Sequence, residues 1–459
     1  MTPQVPSSLS VTDAVVCHES LQNYVIYTVT AQSLIVRRRF SEFVALRECL
    51  VKLFPTKLVP PIPEKQSLTS NIATTTMADD EDPRTHKLME YRKRMLSVFL
   101  NRCLKLNHIA SCNFFGHFLD PEMNFTDFLS YKENNTFYKA SIYQLAPWDS
   151  LSQIENQLYL TLPIPSSADA YLFKELSQEE QFQNFISFET KFLRYELILN
   201  NISKANKKLL KHFIDLSANL SVLGSSYVSL SLIQDSNYIE TIGKMFERRN
   251  IYLSKLTDSI NLKFLDKLIE LKHFSTTAKE LIEYNRKKII QQKLVEKELF
   301  STKSRYQRYE AEDQRIRNID DRARRVVGES EYNDISDPPI TDEELQTALY
   351  TRSKKSLYGT IPGVKKINNM ILKYVNDPNP DETRRNKFYN LRLSLFQLER
   401  QNDILASEIE RINEEVMKEL VKFHDWFKEQ LSELSLVYDN SLKEFLSSCQ
   451  GSWKDCHSE

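Results

Sequence analysis

Residues 34–46 read LIVRRRFSEFVAL, a β-branched run that ends in three arginines and passes into a helical pattern. Leu34 to Arg38 reads as a strand, and Ser41 stands where a helix cap belongs, ahead of Phe43, Leu46, Leu50 and Leu53 at helical spacing. Upstream, Tyr24 to Thr30 (YVIYTVT) is a second strand joined to the first by the Ala31-Gln32-Ser33 turn, and Leu9 to Cys17 is a third. Three short strands predict a small antiparallel sheet. Downstream come a stiff Pro60-Pro61-Ile62-Pro63 arm, a Ser/Thr-rich loop from Gln66 to His86, and helices at Lys87–Leu104 and Ile109–Phe118. Residues 1–120 therefore read as one α+β domain.

Residues 121–175 change character. Pro147, Pro163 and Pro165 break up short apolar groups, so this stretch reads as a partly docked linker. From Gln181 the chain becomes long-helical: Phe185, Phe188, Phe192, Tyr195, Leu199, Ile202, Asn206, Leu209, Phe213, Leu216, Leu220, Leu223, Tyr227 and Leu230 follow alternating steps of three and four. A second helix, Ile239 to about Arg325, carries a seam from Leu253 to Leu281, and a third, Glu382 to about Leu446, repeats the heptad from Phe388 to Trp426. Asn206 and Asn402 fall at seam positions, where a buried amide fixes register at a cost in stability. Three helices this long predict an elongated all-α region. The expected divisions are helices one and two at 176–327, an interruption at 328–381, the third helix at 382–447 and a tail at 448–459.

Composition excludes several chemistries. The chain has 459 residues but only seven glycines, the nearest pair being Gly359 and Gly363, so no glycine-rich nucleotide cradle or GxSxG nucleophile elbow is present. With 61 Lys plus Arg against 62 Asp plus Glu, a globally basic nucleic-acid binder is not expected. The six cysteines form no CxxC or zinc spacing and read as reduced thiols. The start shows no signal-peptide pattern, and no stretch approaches 18 uninterrupted apolar residues. No catalytic residue, metal site or cofactor is expected. The reading is a non-enzymatic protein.

Three basic elements remain. Arg37-Arg38-Arg39-Phe40 closes the last strand, Pro60 to Lys65 is an arm ending in lysine, and Tyr91-Arg92-Lys93-Arg94 opens a helix whose Leu96, Phe99 and Leu100 face a core. Each alone is an ordinary surface feature. Together and in order they resemble the phox-homology (PX) domain, a phosphoinositide-binding fold. The resemblance implies that Arg39 grips the 3-phosphate, Phe40 stacks on the inositol ring in place of the usual Tyr, Lys65 contacts the 1-phosphate and Arg92 binds the 4- and 5-hydroxyls. The acidic run Asp79-Asp80-Glu81-Asp82 departs from a membrane-facing loop.

A PX domain, a linker and three long helices resemble the PX-BAR sorting nexins, most of all the fungal autophagy-related ones. That resemblance implies binding to phosphatidylinositol 3-phosphate membranes and dimerisation into a BAR-type coiled coil, with a second PX-BAR nexin favoured over self. It also implies autophagy scaffold proteins as further partners, roles in endosomal retrieval and selective autophagy, and a cytoplasmic protein peripheral on endosome and preautophagosomal membranes. Within the interruption, residues 345–376 carry no acid. Leu357, Ile361, Val364, Ile367, Ile371 and Tyr374 recur at helical spacing, with Lys365, Lys366 and Lys373 mostly off that face. Such a segment suits an anionic bilayer interface, and packing on the coiled coil is the alternative. A basic stretch from Arg286 to Arg308 is interleaved with Glu and reads as a solvated face or a lipid contact. The rival to a curvature protein is a coiled-coil tether that lipid binding merely localises.

Overall fold

The computed structural model describes residues 8–19, 22–31, 34–64, 83–146, 153–172, 180–327, 341, 344–345 and 380–458. Lys65 and the amphipathic segment at 357–374 lie outside them. Three strands, β1 (Ser10–Glu19), β2 (Gln22–Ala31) and β3 (Leu34–Arg39), form one antiparallel sheet in chain order. Helix α1 (Phe40–Leu53) follows β3 directly, and α2 (Pro83–Leu104), α3 (Asn107–Ala110), α4 (Asn113–Leu119) and α5 (Phe125–Ser130) close over the sheet. The core gathers Tyr27, Val29, Phe43, Leu46, Leu96, Phe99 and Phe118. It also takes in Phe125 and Phe128, which are buried there although the sequence places them in the linker. Phe125 meets Phe118 edge-on at 5.3 Å, so the domain closes a short helix later than residue 120.

The same compact unit includes parts of the long helices. Helix α6 (Lys132–Lys139) leads out of the sheet domain; farther on lie α7 (Gln153–Leu160), α8 (Glu180–Gln234) and α9 (Asn237–Ser259). Helix α9 continues through a π-helical turn, Ile260–Leu265, into α10 (Asp266–Val327). Helix α11 (Pro380–Ser458) runs through the stretch expected to be a tail. Ser452 is buried there and the Arg249 guanidinium lies over Trp453 at 4.6 Å, which gives this last part packing of its own. Helices α8 and α9 approach closely at a glycine pair: a Cβ on Gly243 would stand 2.9 Å from the Val228 nitrogen, and one on Gly224 would stand 3.0 Å from the Gly243 carbonyl oxygen. Nearby, Tyr227 stacks on Phe246 at 5.7 Å.

Three arginines hold the sheet domain to these helices. Arg94 Nε reaches Asp266 Oδ2 at 2.7 Å, Arg102 Nε reaches Glu270 Oε1 at 2.9 Å, and Arg47 reaches Glu280 Oε2 at 3.3 Å. The Arg102 guanidinium also covers Trp426 at 5.0 Å, so its aliphatic and planar parts add packing to the charge contact. On the other side Thr56 Oγ1 donates to Glu415 and the Leu58 N–H donates to Glu419.

The seam of α8 divides in two. Leu199 is buried, and Asn206, Phe213, Leu220 and Tyr227 are half-buried. Ile202, Leu209, Leu216, Leu223 and Leu230 keep the same seven-residue spacing but are 37% to 48% exposed. Phe185, Phe188, Phe192 and Tyr195 are all buried or half-buried, so it is only from Leu199 on that half of the predicted heptad is left exposed within one chain. Helix Phe182–Gln234 also contains a window long and apolar enough, by length and composition, to cross a membrane. The sequence expectation missed it because interspersed serines interrupt the apolar run while adding no charge.

The second compact unit, residues 139–179 and 284–414, seats the linker on α10 and α11. Gln291 Nε2 donates to the carbonyls of Tyr143 and Pro163, and Gln401 Nε2 donates to that of Leu158. Tyr159 and Leu162 pack with Val295, Leu398 and Leu405. Lys288, from the basic stretch read as solvated or lipid-facing, is instead fully buried with its Nζ 5.5 Å from the Tyr159 ring centre. Burial with no carboxylate partner among the described residues pushes its ammonium down to about 7.

In the unfolded chain Lys288 takes up its proton near pH 10.5, whereas the folded site resists it until about 7. Stability therefore rises with pH across that window, and the cost of burial is fully present below it. Lys288→Met should raise the thermal midpoint at pH 7, with the gap to the parent narrowing towards pH 10. Differential scanning calorimetry at the two pH values checks the sign.

Candidate functional site

The site is built at the β3–α1 junction. Along β3 the side chains alternate, Val36 and Arg38 inward, Ile35, Arg37 and Arg39 outward. The three arginines therefore do not act together. Arg38 is 5% exposed, and its guanidinium donates to the carbonyls of Phe118 (2.9 Å), Asp120 (2.8 Å) and Met123 (3.0 Å). It pins the α4–α5 connection to the sheet and presents nothing to a ligand. This pattern lies between residues 80 and more positions apart, so adjacency in sequence could not reveal it.

Arg39 is the last strand residue and the N-cap of α1. Its N–H donates to Glu42 Oε2 at 2.7 Å, so Glu42 at N3 rather than Ser41 closes the first turn. Its guanidinium lies 3.6 Å from the centre of the Tyr24 ring. In the register Arg39 faces Ile26, which puts Tyr24 at the diagonal position two residues along β2. Cation–π contact holds the outward Arg39 guanidinium against the strand.

Phe40 opens α1 and is half-buried. The Arg92 guanidinium, delivered by α2, lies over it at 4.8 Å and donates to the Glu64 carbonyl at 3.4 Å. Arg92 is 4% exposed and stands beside the Tyr27 hydroxyl. Burial raises the Tyr27 phenol above its ordinary value while the Arg92 charge pulls the other way. The structure thus joins Phe40 and Arg92 by direct contact and places Arg39 next to Phe40 at a helix N-terminus, where backbone N–H groups and two guanidinium groups favour a phosphate-bearing anion. Glu64, the last described residue of the proline arm, brings that arm to Arg92. Sequence reasoning missed Tyr24 and Tyr27; their signal was the aromatic pair within YVIYTVT, of which Tyr27 faces Arg38 in register and Tyr24 stands two residues beyond the partner of Arg39.

The PX domain family profile matches residues 27–122, which contain Arg39, Phe40 and Arg92. The chain is 27% identical over 512 residues to "Sorting nexin-41" of Neurospora crassa, covering 100% of this chain and 82% of that protein. It is 29% identical over 412 residues to "Sorting nexin-41" of Yarrowia lipolytica, covering 88% and 69%. It is 26% identical over 521 residues to "Autophagy-related protein 20" of Gibberella zeae, covering 98% and 84%. The chain contains a PX domain and resembles the PX-BAR sorting nexins, most of all the fungal autophagy-related ones. Among solved structures the SNX-BAR Mvp1 tetramer aligns at a TM-score of 0.46 and 14% identity, over 98% of this chain and 99% of that one.

In this chain Arg37 and Arg38 are adjacent and opposite in role. Arg38→Ala strands buried carbonyls and removes charged hydrogen bonds, a loss on the order of 3 kcal/mol. A drop of several degrees in the thermal midpoint is expected for Arg38→Ala and less than one degree for Arg37→Ala. Differential scanning fluorimetry of the two variants compares them.

Proposed function

We propose that this chain is a peripheral membrane adaptor that binds phosphatidylinositol 3-phosphate through its PX domain and senses or generates curvature as a PX-BAR dimer. The observation that carries the lipid reading is the Phe40–Arg92 contact at the N-terminus of α1, with Arg39 beside it. In this reading Arg39 takes the 3-phosphate, Phe40 lies under the inositol ring, Arg92 binds the 4- and 5-hydroxyls and Lys65 takes the 1-phosphate. Ring stacking and bidentate contacts act together on one headgroup.

The outward line of α8 supports the dimer. Covering Ile202, Leu209, Leu216, Leu223 and Leu230 removes apolar surface at about 1 kcal/mol or more per side chain, so a partner helix gains what one chain leaves exposed. A second PX-BAR nexin is the preferred partner. The segment with Leu357, Ile361, Val364, Ile367, Ile371 and Tyr374 on one face, and Lys365, Lys366 and Lys373 mostly away from it, supplies a further membrane contact. Weak contacts joined in one assembly raise one another's effective concentration. The work is sorting on endosomes and selective autophagy, in keeping with the names of the relatives, and no catalysis is involved. The alternative is a tether in which the lipid only localises the coiled coil.

Removing the phosphate grip in Arg39→Ala should cost about 2 kcal/mol, a fall of more than tenfold in co-sedimentation with vesicles carrying phosphatidylinositol 3-phosphate. Undiminished binding would remove the assignment. The two functional readings separate on Ile367→Glu with Ile371→Glu. A remodeller loses vesicle tubulation in this double variant, seen by negative-stain microscopy, and a tether tubulates no vesicles with either chain.

A further inference from the structure

Between α2 of the PX domain and the helices beneath it lies a cavity of 560 Å³, distinct from the surface at Phe40. Its walls come from α2, α8, the π-helical turn and the start of α10, all within one compact unit. Two of the wall's carboxylates are already paired: Asp266 with Arg94 of the wall at 2.7 Å, and Glu90 with Lys93, which lies outside the lining, at 2.8 Å. What remains is unbalanced. Lys87, Lys207 and Lys272 converge from three different elements and form no ion pair among the described residues, against the single carboxylate of Glu64. Ser203 and Asn261 add neutral hydrogen-bonding groups, and the π-helical turn that carries Asn261 widens the backbone at this wall.

Like-charged ammonium groups lining one cavity repel one another. An anion with several phosphates relieves it, while ring hydroxyls suit the serine and asparagine groups. A volume of this size accommodates a small polyol and excludes a macromolecule. We propose that the cavity is a second anion site of this chain, separate from the Arg39 pocket, that takes a polyphosphorylated inositol ring. The ring is either a soluble inositol polyphosphate or the headgroup of a phosphoinositide. Because Lys87 belongs to the PX domain and Lys207 and Lys272 to the long helices, an occupant cross-links the two and strengthens the docking already made by Arg94.

The experiment uses the full chain carrying Arg39→Ala, so that the α1 pocket does not dominate. Isothermal titration with myo-inositol hexakisphosphate should give one site per chain, and adding Lys207→Gln and Lys272→Gln should weaken it at least tenfold. Replacing the same two lysines by Arg should keep it. Lys428→Gln with Lys443→Gln, at exposed lysines on α11 outside the cavity, should leave it unchanged. A second arm uses phosphatidylcholine vesicles with and without phosphatidylinositol 4,5-bisphosphate: binding to these assigns the lipid source, and binding to the soluble ring alone assigns the free one. The proposal is overturned if the Arg39→Ala chain binds no hexakisphosphate, if the cavity glutamines change affinity less than threefold, or if the α11 glutamines weaken it as much. Loss of phosphatidylinositol 3-phosphate binding in Arg39→Ala bears on the α1 pocket alone, so the two sites stand or fall separately.

Discussion

The constraint on which the rest depends is the divided heptad of α8. A single helix carries two lines of largely apolar residues at seven-residue spacing, and from Leu199 on the chain covers only one of them. The line through Leu199, Asn206, Phe213, Leu220 and Tyr227 turns towards the chain's own helices, with Tyr227 stacked on Phe246 and the backbones brought close at Gly224 and Gly243. That close approach requires residues without a Cβ, which is why two of only seven glycines sit there. From Ile202 on the second line stays exposed in the single chain, and it is the surface that the proposed dimer would cover.

Docking of the PX domain onto these helices is the second constraint. Arg47, Arg94 and Arg102 each bridge to α10, and the pairs are partly shielded rather than fully exposed, with Glu270 of the Arg102 pair only 8% exposed. A removed partner would leave a buried charge, so these contacts specify one seating of the domain as much as they stabilise it. The consequence for function is geometric. Arg39 and Phe40 sit on an element fixed to the helices by Arg47 of the same α1, and Arg92 sits on the helix that carries Arg94 and Arg102. The headgroup proposed to bind there would be held at a set position against the helical base.

Local patterns in the sequence conveyed a good deal of this. The strand alternation of LIVRRR, the proline arm and the helical spacing around Leu96 and Phe99 were enough to place Arg39, Phe40 and Arg92 near one another, because each lies within or beside a short element whose period is plain. Long-range demands were not legible. Arg38 looked like one of three adjacent basic residues at a strand end and is a structural clamp, since the carbonyls it satisfies come from a connection some 80 residues away. Lys288 looked like one cation in a basic stretch and is buried against Tyr159, a residue of the supposed linker. Phe125 and Phe128 looked like linker aromatics and complete the PX core. The heptad count was right in its period but silent on which half a single chain covers, because that depends on how α9 crosses α8.

The most direct test of the divided heptad is the mass of the full chain in solution, by light scattering at micromolar concentration, with and without a candidate second nexin. The account predicts an assembly of at least two chains, well above the 53.9 kDa of one, and a return to the single-chain mass when Leu209, Leu216 and Leu223 are changed together to Asp with helicity retained. A well-behaved monomer of the parent chain that recruits no second nexin, its outward leucines remaining in water, would contradict it.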